Sequence, residues 1–154
     1  YQMLGTHVSD PEGIEGAPAT AAGLGYHDVA TTLTGTKALR QVSGVSVADG
    51  AAFTGYEMHV GVTPGNGASR PLVRLADGRS DGAISADGRV AGCYVHGFFS
   101  AEAQRAAWLT RIGAAPSALD YEADVDATLD RLADHIAAHA DCERLLALAA
   151  EPLL

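Results

Sequence analysis

Apolar and polar positions divide the chain into a strand-rich stretch followed by a helical one. From Tyr56 onward, apolar side chains recur at every second position, at Tyr56, Met58, Val60 and Val62. This predicts a strand over Ala51–Val62 with that face buried and Glu57, His59 and Gly61 on the other. His27–Leu33 is rich in β-branched residues and reads as extended, and Lys37–Val47 alternates in part, as a strand broken at Gly44. Pro71–Leu75 is a further short strand. Ala83–Ala86 and Arg89–Val95 flank Asp87-Gly88, the composition of a tight hairpin turn. Beyond Ser100 the period lengthens. Ala103, Ala106, Ala107, Leu109 and Ile112 predict a helix capped at Ser100 and stopped by Gly113, with Trp108 packing at its edge. Pro116 and Ser117 punctuate. Asp120–His139 then sets Val125, Leu129, Leu132 and Ile136 on one helical face, with acids in its first turns and histidines in its last. Asp141 caps a final short helix carrying Leu145, Leu146 and Leu148.

Other segments read as connections. His7–Gly25 is rich in Gly, Pro, Asp and Ala and predicts a surface loop, with a turn at Asp10-Pro11-Glu12-Gly13. Thr63–Ser69 is a loop around Asn66-Gly67, and Asp77-Gly78 and Asp81-Gly82 are turns. Tyr1–Gly5 opens inside an apolar run without an initiator Met. It reads as the first turns of a helix whose preceding strand lies upstream, so the chain is expected to be part of a longer one.

Composition narrows the function classes. The 154 residues suit one domain, and 47% hydrophobic with 19% charged residues describe a globular chain. A net charge of −9 argues against nucleic-acid and anionic-membrane surfaces. No apolar run is long enough for a membrane span, and no signal peptide opens the chain. Two cysteines, Cys93 and Cys142, make no disulfide framework, which points to a reducing, cytoplasmic setting.

The stretch Arg89–Ser100 carries the strongest chemical candidate. It reads as a buried strand delivering His96 to an exposed end, with Gly97 following at once. Open α/β sheets place their chemistry at such strand ends. The competing reading is a histidine satisfied by hydrogen bonds at the rim of a core. Cys93 stands three residues earlier, an odd offset that puts the two side chains on opposite faces of a strand. Cys93 therefore reads as a small buried filler rather than the partner of a Cys-His pair. His135, His139 and Cys142 share helical spacing that suits a metal, but a fourth ligand is missing and Asp141 ends the helix. A solvated helix end with histidines favourable to the dipole explains them as well. Neither a phosphate-cradling G-x-x-x-x-G-K-[ST] nor a G-x-S-x-G elbow occurs, so ATP binding in the P-loop manner is not expected here.

Three separated stretches, Tyr1-Gln2-Met3-Leu4-Gly5, Gly55-Tyr56-Glu57-Met58-His59 and Gly92-Cys93-Tyr94-Val95-His96-Gly97, together resemble one family. They look like the glutaminase half of the cobyric acid synthase family, a branch of the class I, or triad, glutamine amidotransferases. The resemblance runs in order from Tyr1 to about Leu148. Asp10–Gly16, Thr31-Thr32-Leu33 and the Asp81-Gly82-Ala83 turn support it. It implies an α/β, flavodoxin-like amidotransferase domain with a mixed central sheet flanked by helices and the site at strand ends.

The family's function is carried over residue by residue. In the family, Cys-Gly-Gly precedes the Tyr-Gln-Met-Leu-Gly motif, and that Cys is the nucleophile on a tight strand-to-helix turn. The helix N-terminus lowers its pKa, and backbone N–H groups form the oxyanion hole. By resemblance His96 is the base, and Gln2 with Tyr1 helps to hold the substrate glutamine. Glu57 and His59 support the site. The usual third acid stands two residues after the base; here that position is Phe98, matching a Cys-His dyad. The whole family protein uses ATP to activate carboxylates of a corrin-ring diamide, and ammonia from glutamine converts them to amides. ATP and Mg2+ are thus expected on a synthetase domain outside these residues, which need no cofactor of their own. The 154 residues alone are expected to be inactive for want of the nucleophile. A related amidotransferase subunit acting on a cell-wall lipid precursor, and a catalytically inactive binding domain, are the alternatives.

Overall fold

A computed structural model describes residues 1–65, 70–116 and 119–150. The expected turn at Asn66-Gly67 and the break at Ser117 lie outside the described residues. Two compact units are present, Tyr1–Ser117 and Ala118–Leu154.

The first unit is built on a mixed sheet. A single 3-10 turn, Gln2–Leu4, leads into β1 (His7–Asp10) and β2 (Ala19–Ala22). Then come β3 (Ala30–Ser46), β4 (Ala52–Val62), β5 (Val73–Leu75) and β6 (Ser80–Asp81). The short strands β7 (Ala83–Ile84), β8 (Ala91–Gly92) and β9 (Val95–His96) precede helix α1 (Glu102–Arg111). Across the sheet the order is β2-β1-β3-β4-β9, and β5 pairs with the far end of β3 and with β6. Only β1 and β3 run parallel; the other pairs are antiparallel. The expected α/β architecture, a mixed sheet with helices, is therefore present. The second unit holds α2 (Tyr121–His139) and α3 (Cys142–Ala150). Asp120 caps α2 by accepting from the Ala123 amide at 3.1 Å, and Asp141 accepts from the Arg144 amide at 3.0 Å.

Several expectations are corrected. The opening is one 3-10 turn rather than the start of a longer helix, because the Gly5 amide bonds back to Gln2 and the chain then turns into β1. The predicted loop His7–Gly25 contains the β1-β2 hairpin. Its residues, half of them Ala or Val, pair through backbone groups, which need no alternating apolar pattern. Strand β3 is not broken at Gly44. That residue pairs with Phe53 on one side and Leu75 on the other, and an added Cβ would sit 3.0 Å from both the Phe53 ring and the Leu75 Cα. Arg89–Ser100 is not one strand but two pieces, β8 pairing with β7 and β9 with β4. Helix α1 is capped by Ala101 rather than Ser100, without a side-chain bond.

The faces of β4 are reversed. Tyr56 and Val62, expected inward, are 42% and 57% exposed, while Glu57 is 5% exposed. The reason is charge pairing, described below: the carboxylate brings its own cations.

The core holds Phe53, Leu72, Val73, Leu75, Val95 and Phe98, with Trp108 of α1 packed against it. The Phe53 and Phe98 rings lie 5.2 Å apart. Burying each large apolar side chain contributes roughly 1.5–3 kcal/mol. Gln104 is fully buried on α1; it accepts from the Ser46 hydroxyl at 2.9 Å and donates to the Ala51 carbonyl. That clamp ties α1 to the β3-β4 turn. Beside it, Val95 and Phe98 anchor the two ends of the segment that presents His96.

Candidate active site

His96 is the last residue of β9, at the sheet edge, directly opposite Tyr56 of β4. Its ring is exposed and lies flat on that of Tyr56, with centroids 5.1 Å apart and planes 10° from parallel. Phe98, two residues on, is 6% exposed in the core, so that position presents an aromatic ring and no carboxylate.

A cavity of about 360 Å3 opens beside it, with Tyr1, Gln2, His59, Cys93, Tyr94 and His96 among its walls. Four candidates, Tyr1, Gln2, His59 and His96, thus face one space although the first and last stand more than 90 positions apart. Gln2 is fixed by its side-chain amide, which donates to the Val60 carbonyl of β4 at 3.0 Å. Tyr1 meets the edge of Tyr94 with centroids 5.2 Å apart. Burial, with the nearby carboxylate of Asp81, pushes the Tyr1 phenol up to about 12.

Glu57 stands behind the cavity rather than on its wall. One of its oxygens receives Arg40 Nε at 2.9 Å and Arg79 Nη2 at 3.1 Å. The other receives Arg79 Nη1 at 3.3 Å and His59 Nε2 at 2.9 Å. Burial by itself would raise this carboxyl. The hydrogen bonds from Arg79 and His59 and the charges of both arginines outweigh burial and hold it below the usual range. This neutralised cluster explains how an acid occupies the buried face of β4.

His59 is held at both ring nitrogens, Nε2 on Glu57 and Nδ1 on the Gly61 carbonyl at 3.1 Å. Both partners are acceptors, so both contacts are met when both nitrogens carry a proton. The Gly61 carbonyl reaches back because Gly61 has φ +96°, beside the register shift between Thr32 and Lys37. A side chain there would collide with the Thr32 carbonyl and come within 2.9 Å of the Leu33 Cα. The bulge is thus what aims His59. Its ring stacks on Tyr94 at 4.0 Å. The Tyr94 hydroxyl shares a hydrogen bond with Thr63, which in turn bonds Thr31 at 2.8 Å.

Cys93 lines the same cavity as His96, against the opposite-face expectation, because the chain bends between β8 and β9 instead of continuing as one strand. The filler reading stands for a different reason. Burial, with Asp81 nearby, pushes its thiol up to about 11, the reverse of an activated nucleophile. Asp81 is itself pushed above the ordinary range by burial, although it accepts the Gly82 and Tyr94 amides at 2.7 and 2.8 Å. The His135 and His139 rings stack 4.3 Å apart, and His139 Nδ1 bonds the His135 carbonyl. Among the described residues, no group of three or more His, Cys, Asp or Glu is placed to hold a metal. None of their helices is long and apolar enough to cross a membrane.

Sequence reasoning missed Arg40, Arg79 and Tyr94. One signal was available: an acid within a strand whose neighbours suit burial needs cations, and Arg40 stands on the adjacent predicted strand. Arg79 required the fold, since it reaches Glu57 only after the Asp77-Gly78 turn.

Residues 1–104 match the family described as CobB/CobQ-like glutamine amidotransferase domain. The chain is 59% identical over 148 residues to a protein of Methylorubrum populi named cobyric acid synthase, covering 96% of this chain and 30% of that protein. Proteins of the same name from a Bradyrhizobium species and from Methylobacterium nodulans are each 55% identical, over 99% and 97% of this chain and 31% of their own length. The chain therefore spans about a third of the length of the relatives it matches. The matched residues include Tyr1, Gln2, Glu57, His59 and His96, and the chain belongs to the CobB/CobQ-like glutamine amidotransferase domain family.

Proposed function

We propose that this chain is the glutaminase part of a cobyric acid synthase, releasing ammonia from glutamine for ATP-dependent amidation of corrin-ring carboxylates in cobalamin biosynthesis. The observation that carries the reading is the convergence of Tyr1, Gln2 and His96 on one cavity in a chain 59% identical to a protein of that name. In the proposed cycle, a thiol contributed by chain upstream of Tyr1 loses its proton to His96 and attacks the side-chain amide carbon of glutamine. The tetrahedral adduct collapses to a thioester, and the leaving nitrogen takes the proton from His96 and departs as ammonia. Water then attacks the thioester, giving its proton to His96, which returns it to the thiol as glutamate leaves. Gln2, held on Val60, and Tyr1 position the substrate. Glu57 fixes His59 at the cavity wall.

The corrinoid, ATP and Mg2+ belong in this reading to a synthetase domain outside residues 1–154. The setting is the cytoplasm. In this reading residues 1–154 alone release no ammonia, because the nucleophile is the upstream thiol and Cys93, pushed up to about 11, is no substitute for it.

The test uses the full protein with either glutamine or free ammonia as nitrogen source. His96→Ala is expected to abolish glutamine-driven amidation of the corrin diamide and to retain ammonia-driven amidation. Undiminished use of glutamine by His96→Ala would refute the assignment.

A further inference from the structure

We infer that Glu15 is the carboxylate that selects glutamine by its α-ammonium group. This rests on the reading that the 360 Å3 cavity takes glutamine. A free amino acid brings a side-chain amide, a carboxylate and an ammonium into such a site. The ammonium needs an anionic or carbonyl acceptor to replace the water that it loses.

Among the described residues Glu15 is the carboxylate in the cavity lining, and its neighbours Glu57, Asp81 and Asp10 are already engaged. Both oxygens of Glu57 are taken by Arg40, Arg79 and His59. Those of Asp81 are taken by the Gly82 and Tyr94 amides. Glu15 lines the cavity directly, and among the described residues no hydrogen bond or ion pair engages its side chain.

The backbone of Glu15 is held in place. Asp10, 8% exposed at the end of β1, accepts the Ile14 amide at 2.8 Å on one oxygen and the Glu15 amide at 2.9 Å on the other. These bonds hold the Asp10 carboxyl below its usual range. The backbone of the turn is therefore set before a ligand arrives, and it carries the exposed side chain of Glu15 at the cavity. His96 also lines the cavity, and the proposed chemistry needs the amide end of the substrate there. The motif Asp10-Pro11-Glu12-Gly13-Ile14-Glu15 thereby gains a role: Asp10 positions and Glu15 binds.

The experiment compares glutamine with its des-amino analogue, 5-amino-5-oxopentanoate, as substrates of the full protein. A charge-assisted hydrogen bond to an ammonium is worth roughly 10- to 100-fold in binding. Glu15→Gln is expected to raise KM for glutamine by about that factor. The kcat should stay within about threefold, since no interaction unique to the transition state is lost. The same variant should leave kcat/KM for the des-amino analogue nearly unchanged. The preference for glutamine then collapses. Glu15→Asp, which keeps the charge, should restore part of it.

Two results would overturn the inference: an unchanged KM for glutamine, or equal losses on both substrates, which mark a structural role. Binding isotherms with glutamine on the His96→Ala protein separate this inference from the base assignment. Glu15→Gln must weaken binding there too, whether or not His96 proves to be the base.

Discussion

The imidazole of His96 lies face to face with the phenol ring of Tyr56, 10° from parallel and 5.1 Å between centroids. The two residues are a directly opposed pair of β9 and β4. Phe98 stands in the position two residues on, and the ring of Tyr56 is the group stacked flat on His96. A ring face also favours a cation above it, and the proposed cycle charges His96 transiently. Tyr56→Leu is therefore expected to lower kcat for glutamine hydrolysis about 5- to 20-fold with little change in KM. Tyr56→Phe should recover most of the loss. In proton NMR, the ring-current shift of the His96 imidazole should vanish in Tyr56→Leu and persist in Tyr56→Phe.

The approach of these strands depends on Gly55. A Cβ there would strike the His96 carbonyl and come within 3.0 Å of the Val95 side chain. Gly55→Ala should push β9 away from β4, at a cost of about 1–3 kcal/mol. Glutaminase activity should fall together with the melting temperature. A full-rate Gly55→Ala enzyme would show that β9 tolerates displacement and that the Tyr56–His96 pairing is not needed for turnover.

Two acids, the buried Glu57 and the half-buried Asp81, should give opposite pH signatures. Glu57 titrates lower in the fold than in the unfolded chain, so its contribution is present above about pH 4.3 and is lost as the pH falls through its folded value. Asp81 titrates higher in the fold, chiefly from burial. It binds extra protons when folded, so stability falls as pH rises above about 3.9 towards its folded value. Urea unfolding from pH 3 to 7 reads both. Glu57→Gln should flatten the acid limb and cost about 2–4 kcal/mol at pH 7, where Arg40, Arg79 and His59 lose their anion. Asp81→Asn should remove the decline above about pH 4.

Cys93 faces the cavity yet should be chemically quiet. A thiol pushed up to about 11 is thiolate in only about one molecule in 10,000 at pH 7. Iodoacetamide at neutral pH should modify Cys93 far more slowly than an ordinary exposed thiol. Cys93→Ala in the full protein should hydrolyse glutamine at close to the parent rate. Rapid alkylation of Cys93 accompanied by inactivation would place the nucleophile here instead.

Much of this molecule follows from interactions between residues close in the chain, and those parts were legible in advance. Asp87-Gly88 turns the β7-β8 hairpin, with the Ser85 amide bonded to the Val90 carbonyl at 2.8 Å. Asp120 starts α2 and Gly113 follows α1, since caps and stops depend on local backbone geometry. The motifs around Gln2, His59 and His96 likewise fall on residues that line one cavity. Which face of β4 turns inward was not legible. Alternation states that two faces differ, but burial of the Glu57 face depended on guanidinium groups arriving from β3 and from the turn before β6. The β1 strand and the continuity of β3 past Gly44 depended on pairing with more distant segments, β1 with β3 and β3 with β5. Glu15 and Cys93 came to line one cavity with His96 because the chain bends at Tyr94 and because Asp10 clamps its own turn. Short-range preferences select elements; long-range charge neutralisation and backbone pairing select which side chains those elements bring together.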